Sequence, residues 1–183
     1  MKTAIFIDGA NNYAACKTLG FDIDYDRLLP AFNRDKTLLR AFYYTAILPS
    51  EDGLDRLRPL TDFLEYNGYT VVKKMAKTFT DRMGLTKIKG NMDMEMAVDA
   101  LLMAEHVDDI VLFSGDGDFT YLVRALQQKG VRVTVVSSLC IGVLDENGRR
   151  RPPMIADELR RAADIFIDLQ DYKPRICKEH KGE

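Results

Sequence analysis

The chain has 183 residues, of which 46% are hydrophobic and 30% are charged, and it contains no low-complexity tract. These values fit one compact domain, or one domain with a small appendage. The formal net charge of −2 excludes a polycation, so any binding of nucleic acid would depend on local basic patches rather than on the overall charge.

The cysteines and the N-terminus indicate the compartment. Cys16, Cys140 and Cys177 are odd in number and show no C-x-x-C spacing, which argues against a disulfide framework or a zinc site and suits a reducing cytosol. The apolar run at the N-terminus is interrupted by Asp8 and is too short for a signal peptide or a membrane span. We therefore expect a soluble, cytoplasmic protein without a membrane segment.

Six short runs rich in Val, Ile, Phe and Tyr predict strands. Their apolar residues are continuous rather than alternating, which is typical of a parallel sheet covered on both faces. Helical periodicity separates most of the runs, and this order of strands and helices predicts an α/β fold. The predicted strands span 3–8, 39–48, 69–74, 109–115, 131–138 and 164–169, and the predicted helices span 53–68, 92–106, 118–130 and 154–164.

Two segments are not explained by this alternation. Residues 76–91 lie between a strand and a helix and contain several basic side chains. Residues 139–153 predict a small hairpin or an irregular flap with a turn at "ENG". Loops of α/β proteins often carry function, so both segments are candidates for contact with a substrate. A solvated loop without function explains each of them equally well.

Four aspartates lie at ends of the predicted elements. Asp8 ends the first strand, Asp116 and Asp118 follow the strand at 109–115, and Asp93 begins the Met-rich helix. In open α/β sheets, ligands bind beyond the carboxyl ends of the strands where the strand order reverses. If the first strand and the strand at 109–115 are neighbours, the carboxylates of Asp8, Asp116 and Asp118 converge, and Asp93 could add a fourth.

Converging carboxylates raise one another's pKa and hold a proton unless a cation is present. A site built only from oxygen ligands favours a hard divalent ion, Mg²⁺ or Mn²⁺, over zinc. Each aspartate alone has a simpler explanation, because Asp118 and Asp93 could cap the helices that follow them. Asp99 is predicted to face away from Asp93, about 240° round the helix, with a supporting role at most.

Four segments of the chain resemble a known family. They read "IFIDGANNY" (5–13), "KGNMDMEMAVDALLMA" (89–104), "FSGDGDFTYLV" (113–123) and "ADELRRAADIFIDL" (156–169). In this order they are similar to NYN-domain proteins of the LabA-like group in the PIN-like nuclease superfamily. The resemblance extends from near the start of the chain to about residue 169.

The resemblance implies a PIN-like three-layer α/β/α sandwich with a mainly parallel central sheet. The NYN domain would span residues 1–169, and residues 170–183 would form a polar C-terminal tail, which we expect to be poorly ordered. The implied activity is a metal-dependent ribonuclease. Asp8, Asp93, Asp116 and Asp118 would hold Mg²⁺ or Mn²⁺ and carry catalysis.

Further residues match the family position by position. Asn12 is taken as the polar residue of the family's "DGxN" segment, and Ser114 matches the serine of "SGDxDF". Lys89 belongs to a lysine-glycine pair that the family follows closely with "VD". Here Asn91 and Met92 stand between that pair and Asp93.

Binding of a phosphodiester requires cations near the aspartates. We expect substrate contacts from Asn12, Ser114, Lys87 and Lys89, and from a second basic group, Arg149, Arg150 and Arg151, in the predicted flap. Each phosphate neutralised in this way would make binding sensitive to salt. Tyr13 and Phe79 could stack on bases, although we favour core positions for both.

The leading hypothesis is an endoribonuclease dependent on Mg²⁺ or Mn²⁺, with RNA as its partner. An alternative keeps the same fold and the RNA contacts but regulates by binding alone, without catalysis. A third reading, a Toprim-like or phosphatase-like site, is disfavoured because Asp8 is followed by Gly9-Ala10 rather than by the arrangement that such sites use. Assembly into a homo-oligomer is left open.

Overall fold

The computed structural model describes residues 1–48, 51–80 and 86–178. Within these ranges it contains eight strands and seven α-helices. The strands are β1 (Lys2–Asp8), β2 (Thr37–Ile47), β3 (Tyr69–Met75), β4 (Lys77–Thr80), β5 (Thr86–Lys89), β6 (Asp109–Phe113), β7 (Arg132–Ser137) and β8 (Ile165–Asp168). The helices are α1 (Gly9–Leu19), α2 (Tyr25–Phe32), α3 (Glu51–Tyr66), α4 (Asp93–Met103), α5 (Thr120–Gln128), α6 (Asp157–Ala162) and α7 (Leu169–Ile176).

Six strands form one sheet in the order β3-β2-β1-β6-β7-β8, and every neighbouring pair is parallel. The predicted parallel α/β fold is therefore confirmed. The chain builds one half of the sheet outward from β1 and the other half outward from β6, so the strand order reverses between these two strands. Their carboxyl ends meet at the same edge, because Ile7 pairs with Phe113.

The sheet separates two hydrophobic cores. Alternate residues of β1 point to opposite faces, so that Phe6 belongs to one core and Ile5 to the other, both with 0% exposure. Helices α4, α5 and α6 cover the first face, and α1, α2, α3 and α7 cover the second. This arrangement is the predicted three-layer α/β/α sandwich. Within the described part of the chain, no helix is both long enough and apolar enough to cross a membrane.

The C-terminal segment differs from the prediction. Residues 170–178 are not a poorly ordered tail, because most of them belong to α7 (Leu169–Ile176), whose Leu169 and Ile176 are buried at 1% and 0% exposure. The carbonyl of Ile176 also accepts a hydrogen bond of 2.7 Å from Asp24 N. That expectation is therefore wrong for these residues, while residues 179–183 lie outside the described part. The domain boundary at residue 169 remains a prediction.

The two unexplained segments both contain hairpins. In residues 76–91 the short strands β4 and β5 pair antiparallel, with Lys77 opposite Lys89; residues 81–85 lie outside the described part. In residues 139–153 a bridge joins Leu144 to Arg150. Asp145 N also donates to the carbonyl of Arg149, so the predicted small hairpin at "ENG" is confirmed.

A buried carboxylate holds the opposite end of the central strands, where β6 begins. Asp109, at the start of β6, has 0% side-chain exposure and accepts bonds of 2.7 Å from Lys36 Nζ and 2.9 Å from Arg132 Nε. Thr3 Oγ1 adds a bond of 3.3 Å. The three donors come from β1, β7 and the segment before β2, so one side chain ties together the strands that define the centre of the sheet.

We predict that Asp109→Ala lowers the free energy of unfolding by about 3 kcal/mol, the low end for removal of one partner from a buried ion pair, because both cations keep access to water. Urea denaturation measures the change. As a control, Asp62→Ala removes a largely exposed partner of Arg58 on α3 and should cost less than about 1 kcal/mol. Equal losses in the two variants would contradict the role assigned to Asp109.

Candidate functional site

Asp8 lies where β1 passes into α1 and is half-buried. Its Oδ1 accepts a bond of 3.1 Å from Asn11 N, so Asp8 caps α1. Its Oδ2 accepts a bond of 3.2 Å from Ser114 Oγ, which follows β6. Asp8 is thus held by groups that follow β1 and β6. These are the two strands between which the strand order reverses, a place that we call the switch point.

The "SGDGD" turn after β6 is held by the same hydroxyl. Ser114 Oγ accepts a bond of 3.2 Å from Asp116 N, so one oxygen atom connects Asp8 with the backbone of Asp116. Gly115 N donates to Asn11 Oδ1 at 2.9 Å. A Cβ on Gly115 would lie 1.7 Å from the carbonyl oxygen of Met154, so only glycine fits at this close approach.

Asp93, Asp116 and Asp118 form a group that we call the acid cluster. Each offers a carboxylate oxygen, and these atoms all lie within 4.8 Å of one another. Asp93 and Asp116 are half-buried, whereas Asp118 is exposed. The cluster combines the first turn of α4 with the turn after β6.

The structure also decides the capping alternative. The N-caps of α4 and α5 are Met92 and Phe119, and neither helix has a side-chain cap. The suggestion that Asp93 and Asp118 cap these helices is therefore wrong. The capping aspartates are Asp8 and Asp116. Asp116 caps a single 3-10 turn, Gly117–Phe119, that precedes α5, and its Oδ1 accepts a bond of 3.0 Å from Asp118 N.

A cleft of about 310 Å³ opens at this edge of the sheet, and we call it the acid cleft. Asp8, Asp93 and Asp116 line it, so the two strand ends do bring these side chains together as the sequence predicts. Uncharged polar residues share the lining, including Asn11, Tyr44 and Asn91.

The electrostatics of the cleft disfavour negative charge. Burial raises the pKa of Asp8, and the nearby charges of Asp93 and Asp116 raise this pKa further, against hydrogen bonds from Asn11 and Ser114 that lower it. Burial is also the main cause that raises the pKa of Asp93, followed among the raising causes by the charges of Asp116, Asp118 and Glu95. Ionised carboxylates at this position therefore gain from a nearby cation.

The residues present fit a hard divalent cation. Two ligands of one Mg²⁺ or Mn²⁺ lie at most about 4.2–4.4 Å apart, given metal–oxygen distances of roughly 2.1–2.2 Å. The spread of up to 4.8 Å in the acid cluster therefore requires only small side-chain adjustments. All donors are carboxylate oxygens, which suit hard ions rather than zinc. Asp8 stands outside this tight group but lines the same cleft.

Asn12 does not lie in the acid cleft. It is 3% exposed and borders another cavity with Tyr25 and Tyr43, where its Oδ1 accepts a long contact from the thiol of Cys16 at 4.0 Å. Its neighbour Asn11 lines the acid cleft instead. By its letters, the D-G-x-N pattern that starts at Asp8 ends at Asn11, so Asn11 rather than Asn12 stands at the matching position.

The other predicted contacts are placed as follows. Ser114 is 1% exposed, and its hydroxyl both donates and accepts within the site. Arg149, Arg150 and Arg151 are exposed on the flap and do not line the acid cleft. Tyr13 is 65% exposed, so its predicted core position is wrong. The side chains of Lys87, Lys89 and Phe79 lie outside the described part of the structure.

Sequence reasoning missed Asn11, Tyr44 and Asn91. The motif spacing could have identified Asn11, and the position of Asn91 two residues before Asp93 is a weak signal for a local side-chain bond. Nothing in the sequence marks Tyr44, whose hydroxyl donates to Asp99 Oδ2 at 2.8 Å. Asp99 does not line the acid cleft, as expected, but it holds a residue that does.

Comparison with known proteins identifies the family. The model of the NYN domain matches residues 2–170. The chain belongs to the NYN domain family. It is 37% identical over 186 residues to the low amplitude and bright protein LabA of Synechococcus elongatus, covering 100% of this chain and 91% of LabA.

A solved structure is similar as well. The chain matches the crystal structure of VPA0982, a protein of unknown function from Vibrio parahaemolyticus RIMD 2210633, with a TM-score of 0.70 and 27% identity. The match covers 93% of each chain.

Membership in this family connects the acid cluster to a class of chemistry. NYN domains belong to the PIN-like nuclease superfamily, are typically nucleases that act on RNA, and typically use divalent metals. Membership of the chain in this family, together with the carboxylates of Asp93, Asp116 and Asp118, suggests a nuclease function related to RNA.

We predict that Asp8→Asn raises the thermal unfolding midpoint at neutral pH when EDTA is present. Asparagine can still cap α1 through its single oxygen, and the amide nitrogen that replaces Oδ2 can donate to Ser114 Oγ, but the side chain carries no charge. Because the folded-state pKa of Asp8 is raised, the folded protein binds its proton more tightly than the unfolded chain. The wild type therefore loses stability as pH rises from the unfolded pKa through the folded one.

The midpoint difference between variant and wild type should consequently be larger at pH 7.5 than at the acidic end of this window. Differential scanning calorimetry at several pH values measures it. A variant that is less stable than the wild type at pH 7.5 would show that the ionised carboxylate stabilises the apoprotein.

Proposed function

We propose that this chain is a metal-dependent endoribonuclease that hydrolyses RNA phosphodiester bonds with Mg²⁺ or Mn²⁺. Asp93, Asp116 and Asp118 would hold the cation, and Asp8 would complete the site from the end of β1. The observation that carries the proposal is the acid cluster, with ligand oxygens within 4.8 Å at the switch point of an NYN domain.

The bound cation would supply two things: a water of lowered pKa and a positive charge next to the phosphate. The chain's own residues orient the carboxylates. Ser114 Oγ and Asn11 N hold both oxygens of Asp8, and Asn91 Nδ2 holds Asp93 Oδ2 at 2.6 Å. Fixed carboxylates need little rearrangement when the charge of the transition state develops, which is the main source of electrostatic catalysis.

For substrate binding, two groups of basic residues are proposed. Lys87 and Lys89 belong to β5, which leads directly to α4, and Arg149, Arg150 and Arg151 form an exposed basic group on the flap. Ser114 acts through Asp8 rather than by direct contact. For the amide contact first assigned to Asn12, Asn11 is the better placed residue, because it lines the cleft.

We further propose a cytoplasmic site of action. Cys16, Cys140 and Cys177 are all unpaired thiols, which suits a reducing compartment. The alternative of an RNA-binding module without catalysis uses the same surface. A binding module would be free to lose acidic residues, whereas all four aspartates are present here.

We predict that the purified protein cleaves labelled RNA internally in the presence of Mn²⁺ and not with EDTA. Asp116→Asn should abolish cleavage, because it removes one ligand charge, while asparagine can still accept the bond from Asp118 N and keep the turn folded. Gel mapping of both ends of the products distinguishes internal cleavage from trimming.

The matched control is Asp62→Asn, an exposed acidic residue on α3, which should cleave like the wild type. RNA binding with no cleavage under any metal condition would favour the binding module. Cleavage by Asp116→Asn at the wild-type rate would reject the assigned site.

We predict that replacing Arg149, Arg150 and Arg151 with alanine weakens RNA binding and flattens its salt dependence. If each arginine neutralises one phosphate of a single strand, the slope of log K against log salt should fall by about 2. Fluorescence anisotropy at several salt concentrations measures the slope. Arg161→Ala, which removes an exposed partner of Asp157 on α6, is the control, and equal slopes in all proteins would exclude the flap as a contact.

A further inference from the structure

Asp93 enters the acid cleft from the short connection between β5 and α4. Gly90, Asn91 and Met92 connect β5 to α4, and Asn91 and Met92 are the residues that separate the lysine-glycine pair from Asp93. Both Asn91 and Asp93 line the acid cleft. The position of this segment therefore determines where the carboxylate of Asp93 lies.

Both the nitrogen and the oxygen of the Asn91 side-chain amide form hydrogen bonds to Asp93. Its Nδ2 donates to Asp93 Oδ2 at 2.6 Å, and its Oδ1 accepts from Asp93 N at 2.7 Å. The two bonds close a ring that restricts rotation of the carboxylate. One carboxylate oxygen is occupied by the amide, which leaves the other for a cation.

Asn91 is in turn held by Lys74 at the end of β3. Lys74 Nζ forms an ion pair of 2.5 Å with Glu95 Oε1 and donates a longer bond of 3.5 Å to the carbonyl oxygen of Asn91. Glu95 Oε2 is buried and has no hydrogen-bond partner among the described residues. Lys74 thus connects Glu95, in the first turn of α4, to the backbone of Asn91.

Packing fixes the residues on both sides of Asn91. A Cβ on Gly90 would lie 2.5 Å from Ala46 Cβ and 3.1 Å from Ala76 Cβ, so the chain passes against the ends of β2 and β3. Met92 is 6% exposed and belongs to the core that contains Met96. Asn91 itself is exposed, so burial cannot fix its orientation and its hydrogen bonds must do so.

We propose that Asn91, held by the ion pair of Lys74 and Glu95, is a positioning residue that presents the carboxylate of Asp93 to a divalent cation in the acid cluster. The proposal rests on the proposed function in assuming that the cluster binds a cation. It goes further by assigning to the metal site Lys74, a basic residue that contacts Glu95 and the backbone of Asn91.

The test measures Mn²⁺ affinity from the electron paramagnetic resonance signal of the free ion. Asn91→Ala and Lys74→Met should each weaken the affinity, by roughly 10–100-fold for residues that orient a metal ligand. The double variant should bind about as weakly as Asn91→Ala alone, because Lys74 acts through Asn91 and the effects of coupled residues do not add. Lys74→Arg should retain most of the affinity.

Lys73→Met is the matched control. Lys73 precedes Lys74 on β3 and also forms an ion pair, of 2.8 Å with Glu65, so this variant removes the same charge from the same strand without touching Asn91. Its Mn²⁺ affinity should equal that of the wild type. Thermal unfolding in EDTA verifies that each variant is folded, and Lys74→Gln replaces Lys74→Met if the latter does not fold.

RNA kinetics provide a second readout. If Lys74 positions Asp93, kcat of Lys74→Met falls at low Mn²⁺ and recovers when Mn²⁺ is raised, while KM for RNA stays constant. An unchanged Mn²⁺ affinity of Asn91→Ala, additive losses in the double variant, or a raised KM as the sole effect would each overturn the proposal.

Failure of the proposed function is distinguishable. A wild type that binds Mn²⁺ without cleaving RNA would reject the nuclease, and the positioning role would then be decided by the affinities alone. A wild type that does not bind Mn²⁺ would overturn both proposals.

Discussion

Electrostatic repulsion between carboxylates at the junction of β1 and β6 is the constraint on which the rest of the site depends. The parallel register aligns the ends of the two strands, and Ser114 Oγ bridges Asp8 to the backbone of Asp116. Gly115 permits the turn to pass against Met154. The fold thus holds like charges together with bonds that would be formed whether or not the site bound a cation.

The capping bonds are part of how this repulsion is tolerated. Asp8 and Asp116 each accept a backbone N–H at the start of the helix that follows, and such bonds favour the ionised form. For Asp8 they oppose the burial that raises its pKa. Capping and a place in the acid cleft are therefore compatible roles of one side chain. The aspartates that form no cap, Asp93 and Asp118, belong to the tight cluster.

Much of this structure follows from local patterns. The six sheet strands are marked by continuous apolar runs and four of the helices by helical periodicity, and all ten are present close to their predicted positions. Helix α1 escaped detection because "GANNYAACKTL" contains mostly small and polar residues. Helix α7 escaped because its sequence is polar and contains Pro174, although Leu169 and Ile176 anchor it in the core.

The candidate site also has features that the sequence can indicate and features that it cannot. The positions of Asp8, Asp93 and Asp116 follow from element ends and strand order, which sequence can indicate. Asn11 and Asn12 are adjacent in α1, so their side chains point about 100° apart around the helix. A sequence motif identifies the correct one only if it is aligned to the right residue. The bonds from Tyr44 to Asp99 and from Lys74 to Glu95 join distant segments, and no local pattern predicts them.

The capping by Asp8 also bears on how a phosphate could approach this edge. In many doubly wound folds, phosphate binds to free N–H groups at the first helix after β1. Here Asp8 accepts the N–H of Asn11, so a negative charge already occupies the N-terminus of α1. A phosphate arriving directly would meet this carboxylate and the half-buried Asp93 and Asp116. Direct binding of an anion is therefore unfavourable as long as these carboxylates are ionised and unpaired. The crevice that binds anions in other folds of this topology is, in this chain, lined by carboxylates.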